Sequence, residues 1–216
     1  MSRSLYKKLI ILLLLPVCTV SLAGKTDNRM KVDNKHVNSW NQFADQVLAL
    51  HESQVKGKAI VETEKKGGYA DNPDFYREVT YKDKLTDKVL SVIQWEIKNP
   101  EIVHSIEVNV YDDKGRIIRD YSAAYLPGSR NAPIQTLINL HNYNDKLHAY
   151  RQFDVSKDVI YEYCNGEFEG QEHELRLFEE DLTASDYDSR QLLKSPIYKA
   201  CFKGLQTQVG KFIRPQ

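Results

Sequence analysis

Cysteine is scarce in this chain: three residues in 216, at Cys18, Cys164 and Cys201. None stands in a Cys-x-x-Cys or Cys-x-x-Cys-His arrangement, which excludes a thioredoxin-like redox pair and covalent haem attachment. There is no excess of either charge, since 30 Lys and Arg oppose 30 Asp and Glu. A nucleic-acid binder would carry a basic surplus or stripe, so that class is set aside. Long apolar runs are missing too. Leu9 to Leu15 is the richest stretch, far short of the roughly 20 residues a spanning helix needs. No stable membrane span is therefore expected.

Reactive motifs are equally absent. There is no Gly-x-Ser-x-Gly, and His173-Glu174 is not followed by a second histidine at zinc-protease spacing. Gly204 lies one residue too far from Gly210-Lys211 for a phosphate loop, and Asp112-Asp113-Lys114-Gly115 lacks the ligand spacing of an EF-hand. No cofactor is expected.

What is present begins with an export signal over residues 1–23. Arg3, Lys7 and Lys8 precede the apolar run, and Ser21 and Ala23 supply small residues at −3 and −1 for cleavage after Ala23. Lipid attachment at Cys18 is the alternative; Leu15-Pro16-Val17 suits it poorly. Three of the 30 bases lie in this signal, so the mature chain carries 27 against 30 acids, a net charge of −3. Residues 24–34 read as a flexible polar leader, and 35–216 as one domain, with the chain periplasmic or secreted.

Trp40, Phe43, Ala44, Val47, Leu48, His51 and Val55 form one apolar stripe at helical spacing, with Asn34 or Asn38 as cap and Gly57 just past the end. From about residue 59 the period changes. Runs rich in Val, Ile, Tyr and Thr over 75–81, 89–97, 103–111, 116–126, 134–143, 147–153, 159–164 and 173–182 read as strands. Short polar connections such as Asp112–Gly115 and Asn144–Lys146 suit antiparallel neighbours. Ser195-Pro196 opens a short C-terminal helix that Gly204 ends. The expected fold is α+β: an antiparallel meander of about seven or eight strands, as a curved sheet or partial barrel, packed against the N-terminal helix.

Tyr111-Asp112-Asp113-Lys114 recurs 32 residues later as Tyr143-Asn144-Asp145-Lys146, read as shared turn chemistry. Tyr111 to Arg116 also resembles one unit of the YD-type hairpin repeats of large secreted proteins. A single copy implies no function.

Candidate sites are few. His141 and His148 would oppose one another if Asn144-Asp145 were the hairpin loop, with Cβ atoms about 4.5–5.5 Å apart. No third ligand is evident, so they are candidates only and no metal is assigned. Cys164 could be a nucleophile with His141 or His148 as base. In an oxidising compartment a Cys164–Cys201 disulfide is expected instead. Tyr76, Tyr81, Tyr121, Tyr125, Tyr150, Tyr161 and Tyr163 could line a groove, or simply suit a half-buried sheet. Nine acids lie between Asn165 and Asp188, and six bases without an acid follow from Ser189. The basic segment is expected to fold back on the acidic hairpin, the alternative being an acidic patch for a basic partner.

The expected function is a non-catalytic envelope protein binding another protein or an apolar ligand. The alternative is a secreted hydrolase whose site forms no linear motif. N-terminal sequencing of the exported protein should begin at Gly24; a start at a lipid-modified Cys18 would contradict cleavage after Ala23.

Overall fold

The computed structural model describes residues 35–127, 133–156 and 158–215. The expected signal peptide, the expected leader and the proposed cap Asn34 lie outside the described residues. Helix α1 (Lys35–Val55) leads into nine strands: β1 (Ile60–Tyr69), β2 (Asn72–Asp83), β3 (Val89–Glu96), β4 (Val103–Tyr111), β5 (Ile117–Ala124), β6 (Gln135–Asn144), β7 (Leu147–Asp154), β8 (Val159–Phe168) and β9 (Gln171–Phe178). Three short helices follow, α2 (Glu179–Thr183), α3 (Tyr187–Lys194) and α4 (Pro196–Phe202), then a 3-10 turn at Gly210–Ile213. Every strand pairs antiparallel with its neighbour in sequence, and the sheet is open, with β1 and β9 as its edges. The fold is α+β.

Nine strands stand where seven or eight were expected. The additional one is β1, whose residues are nearly all exposed. An edge strand wet on both faces has no apolar alternation to betray it. The strand expected over 173–182 stops at Phe178, because the Asp181 carboxylate accepts a hydrogen bond from the Phe178 N–H at 2.9 Å and starts α2. At α3 the direction is reversed: Asp186 is the N-cap, and its carboxylate accepts from Ser189 N–H. Neither helix was anticipated. Ser195 caps α4 as its sequence implied, Gly57 adopts a left-handed φ of 75°, and Asn38 lies inside α1.

Both helical packages cover one face. Phe43, Val47 and Leu50 of α1 pack on Ile93, Ile106, Val108, Tyr121 and Ile138. Leu50 lay outside the sequence stripe, whereas Trp40 and Leu48 are only partly buried. The buried His51 ring meets Ser91 Oγ at 2.7 Å, and burial holds its pKa below the usual histidine value against the opposing pull of Glu52. A second cluster joins Leu147, Ala149, Cys164 and Leu177 to Cys201 and Phe202 of α4. Cys164 and Cys201 stand at disulfide distance, with Cα atoms 5.9 Å apart. This ties α4 to mid-β8, which continues beyond Cys164 to Phe168.

Beside that bond lies a buried charged node. Arg151 and Glu162, paired across β7 and β8, form an ion pair with side chains 5% and 2% exposed. Tyr198 of α4 donates its hydroxyl to the other Glu162 oxygen at 2.8 Å, and Arg151 donates to the carbonyls of Leu205 and Gln206. Burial, then the Glu162 charge and hydrogen bond, push Tyr198 up to about 12. The basic C-terminal segment thus folds back over the sheet. Among the described residues it is held by this node, by the Cys164–Cys201 pair, by Asn142 and Asn144 donating to the carbonyls of Ala200 and Lys203, and by apolar packing, and no ion pair joins it to the acids of 165–188.

The repeated Tyr-Asx-Asp-Lys segments do share a device. Tyr111 hydroxyl donates to the Val89 carbonyl while the preceding Lys88 lies over its ring; Tyr143 does the same to Ile117, with Arg116 over its ring. Each tyrosine thereby fastens the end of one strand to the start of an earlier one. Their turns differ, since Asp112 N–H closes on Arg116 whereas β6–β7 turns on two residues.

Phe43 is 2% exposed and rests on Tyr121. Phe43→Ala should cost about 3–5 kcal/mol, read as a large drop in melting temperature; a melt within a degree of wild type would contradict the packing of α1.

Candidate binding face

Strand alternation sends half of the sheet's side chains to the face opposite α1 and α4. Among the described residues this face carries no helix. In register across β5, β6 and β7 lie Asp120, Asn139 and Gln152. They form an amide ladder: Asn139 donates to Asp120 Oδ1 at 2.7 Å, and Gln152 donates to Asn139 at 3.0 Å. The other Asp120 oxygen meets His141 Nε2 at 2.7 Å. Asp120 and His141 are only 14% and 10% exposed although no helix covers them.

His141 and His148 are brought together, but not as expected. The hairpin turns on Asp145-Lys146, with Asp145 at φ 50°, so Asn144 pairs with Leu147. This shifts the register: His141 opposes Tyr150 and His148 opposes Tyr143. The two histidines are therefore diagonal neighbours on one face rather than directly opposed. Their rings are parallel within 5°, and His141 Nδ1 lies 3.0 Å from His148 Nε2. Burial, then the adjacent His141, pulls His148 below the usual histidine pKa. Among the described residues no group of three His, Cys, Asp or Glu side chains is arranged to hold a metal.

From the histidines an aromatic band crosses four strands. Tyr143 stacks on His148 with centroids 4.6 Å apart, and Tyr150 lies 5.2 Å from His141. The band continues through Tyr163 and Tyr161 to Phe178, which is 56% exposed. Arg176 lies over Tyr163 and pairs with Glu174. Toward β4 the face turns acidic. Glu107 stands there, and desolvation by the crowded sheet face, then the charges of Asp120 and Glu78, raises its pKa.

The seven tyrosines considered as a groove divide between faces. Tyr121 and Tyr125 are core and Tyr81 packs against it. Tyr76 stacks on His104 near the β1–β2 turn. Tyr150, Tyr161 and Tyr163 come together in the band on the open face. Asp120 was missed, although an acid in the middle of Ile117-Ile118-Arg119-Asp120-Tyr121 is a signal that the residue has a partner.

Both nitrogens of His141 are engaged, by Asp120 and by His148, and among the described residues neither ring bonds a serine, threonine or cysteine. Cys164 and Cys201 stand in the disulfide pair, so neither is a nucleophile. A groove of about 630 Å³ lies at the β6–β7 turn beside α4, bordered by Asp145, Lys146, Glu167 and Lys203. Its charged border suits a polar occupant rather than an apolar one. Among the described residues no helix is long and apolar enough to cross a membrane. No family model, curated protein or solved structure matches the chain.

Proposed function

We propose that this is an exported, non-catalytic protein that binds a protein partner through the open face of β5 to β9. One observation carries the reading: a continuous band of aromatic rings, from Tyr143 to Phe178, on the face that bears no helix among the described residues. Tyrosine and arginine dominate interface hot spots because they combine large contact area with a polar handle. Arg176 over Tyr163, paired with Glu174, places polar groups of both signs at the β9 margin of the aromatic band. A broad face favours a protein over an apolar small molecule, which needs an enclosed apolar cavity. The Cys164–Cys201 pair is compatible with an oxidising compartment, which supports export to the periplasm or beyond.

The hydrolase alternative has less support: the His141 nitrogen that Asp120 leaves basic is met by His148 Nε2 rather than by a hydroxyl or thiol. Site-specific photo-crosslinking in the intact envelope tests the proposal. A photoreactive residue at Tyr161 or Phe178 should give one discrete protein adduct, and one at Leu85, 88% exposed on the β2–β3 turn, should not. The Tyr150→Ala and Tyr163→Ala pair of substitutions should abolish the adduct. No adduct at the face, or equal adducts at Leu85, would overturn it.

A further inference from the structure

We infer that His141 and His148 form a site for one divalent cation of borderline softness, with zinc as the type, and that Asp120 is its positioning residue. This goes beyond the partner-binding reading and does not depend on it. The central observation is that two imidazole nitrogens, His141 Nδ1 and His148 Nε2, point at each other across 3.0 Å. Two nitrogens on a tetrahedral zinc, at bonds of about 2.0–2.1 Å, stand about 3.4 Å apart. Exchanging the shared proton for a cation therefore takes a few tenths of an ångström of added separation together with a turn of both rings, so that the two lone pairs converge on the metal instead of on each other.

The surroundings are those of a metal-binding histidine. A ligating imidazole donates its far N–H to a carboxylate, which fixes the tautomer and frees the near nitrogen's lone pair. Asp120 Oδ2 stands 2.7 Å from His141 Nε2 in that position, and its other oxygen is held by Asn139. The rings are also held in place. Tyr143 stacks on His148, and Tyr150 flanks both histidines. Little side-chain freedom remains to be lost on binding. Imidazole donors suit zinc, copper and nickel rather than magnesium or calcium. With two protein ligands, the remaining positions are left for water or for a donor brought by a partner, as on a face that bears no helix among the described residues.

Calorimetric titration of zinc chloride into the tag-free, disulfide-intact protein tests this. One zinc per chain is expected. Binding should be lost in His141→Gln and His148→Gln, be roughly 10- to 100-fold weaker in Asp120→Asn, and be unchanged in His173→Gln on β9. A second measurement covers variants that fail to fold: substoichiometric copper(II) added to the wild type should broaden the ring resonances of His141 and His148 and spare those of His51 and His104. Absence of both heat and broadening would overturn the site, as would zinc affinity that survives both histidine substitutions.

Discussion

The Arg151–Glu162 ion pair is the constraint on which the rest of the sheet depends. Two charges with side chains 5% and 2% exposed lie in the middle of β7 and β8. Buried charges persist only when every remaining donor and acceptor is satisfied. The strands satisfy them in part. The rest comes from far along the chain, from the Tyr198 hydroxyl and the carbonyls of Leu205 and Gln206. The residues after β9 are thereby committed to one face. Removing one partner of such a pair costs about 3–5 kcal/mol, because the other is left buried and alone.

The neighbouring Cys164–Cys201 pair reinforces the same geometry by another means. Its ends are 37 residues apart in sequence, and closing a loop of that length stabilises by about 4 kcal/mol in the chain-entropy account. Val209, fully buried, then links the tail to the cluster under α1. The two helical packages so become one continuous cover. Large polar side chains can remain on the opposite face because they satisfy one another across strands: Asp120 with Asn139, Asn139 with Gln152, Asp120 with His141. That face is the one for which a binding role is proposed.

Local pattern made much of the fold legible. The helical stripe of α1, the period change near residue 59 and the Ser195-Pro196 start of α4 each follow from a few adjacent residues. β1 was not legible because a doubly wet edge strand looks polar throughout, and α2 and α3 were hidden because each start rests on a single Asp carboxylate, Asp181 inside α2 and Asp186 capping α3. The site was harder. His141 and His148 stood out by type, but their relation depended on a turn that placed Asp145, not Asn144, at positive φ. Asp120 was invisible as their partner because β5 and β6 meet through register, which no short window reveals. The same applies to Tyr198 and Glu162, which are joined only once the tail has folded back.

The claim that this node closes the covered face is tested most directly by comparing thermal stability of wild type and Tyr198→Phe across alkaline pH. The variant leaves a buried Glu162 oxygen without its donor, so it should be less stable at pH 8 by about 1–3 kcal/mol. Tyr198 holds its proton more tightly folded than unfolded. The stability it confers is therefore full below its ordinary value of 10.0 and drains as pH rises toward about 12. The gap between the two proteins should narrow over that interval. A variant that melts like wild type at pH 8, or a gap that stays constant up to pH 12, would contradict the account.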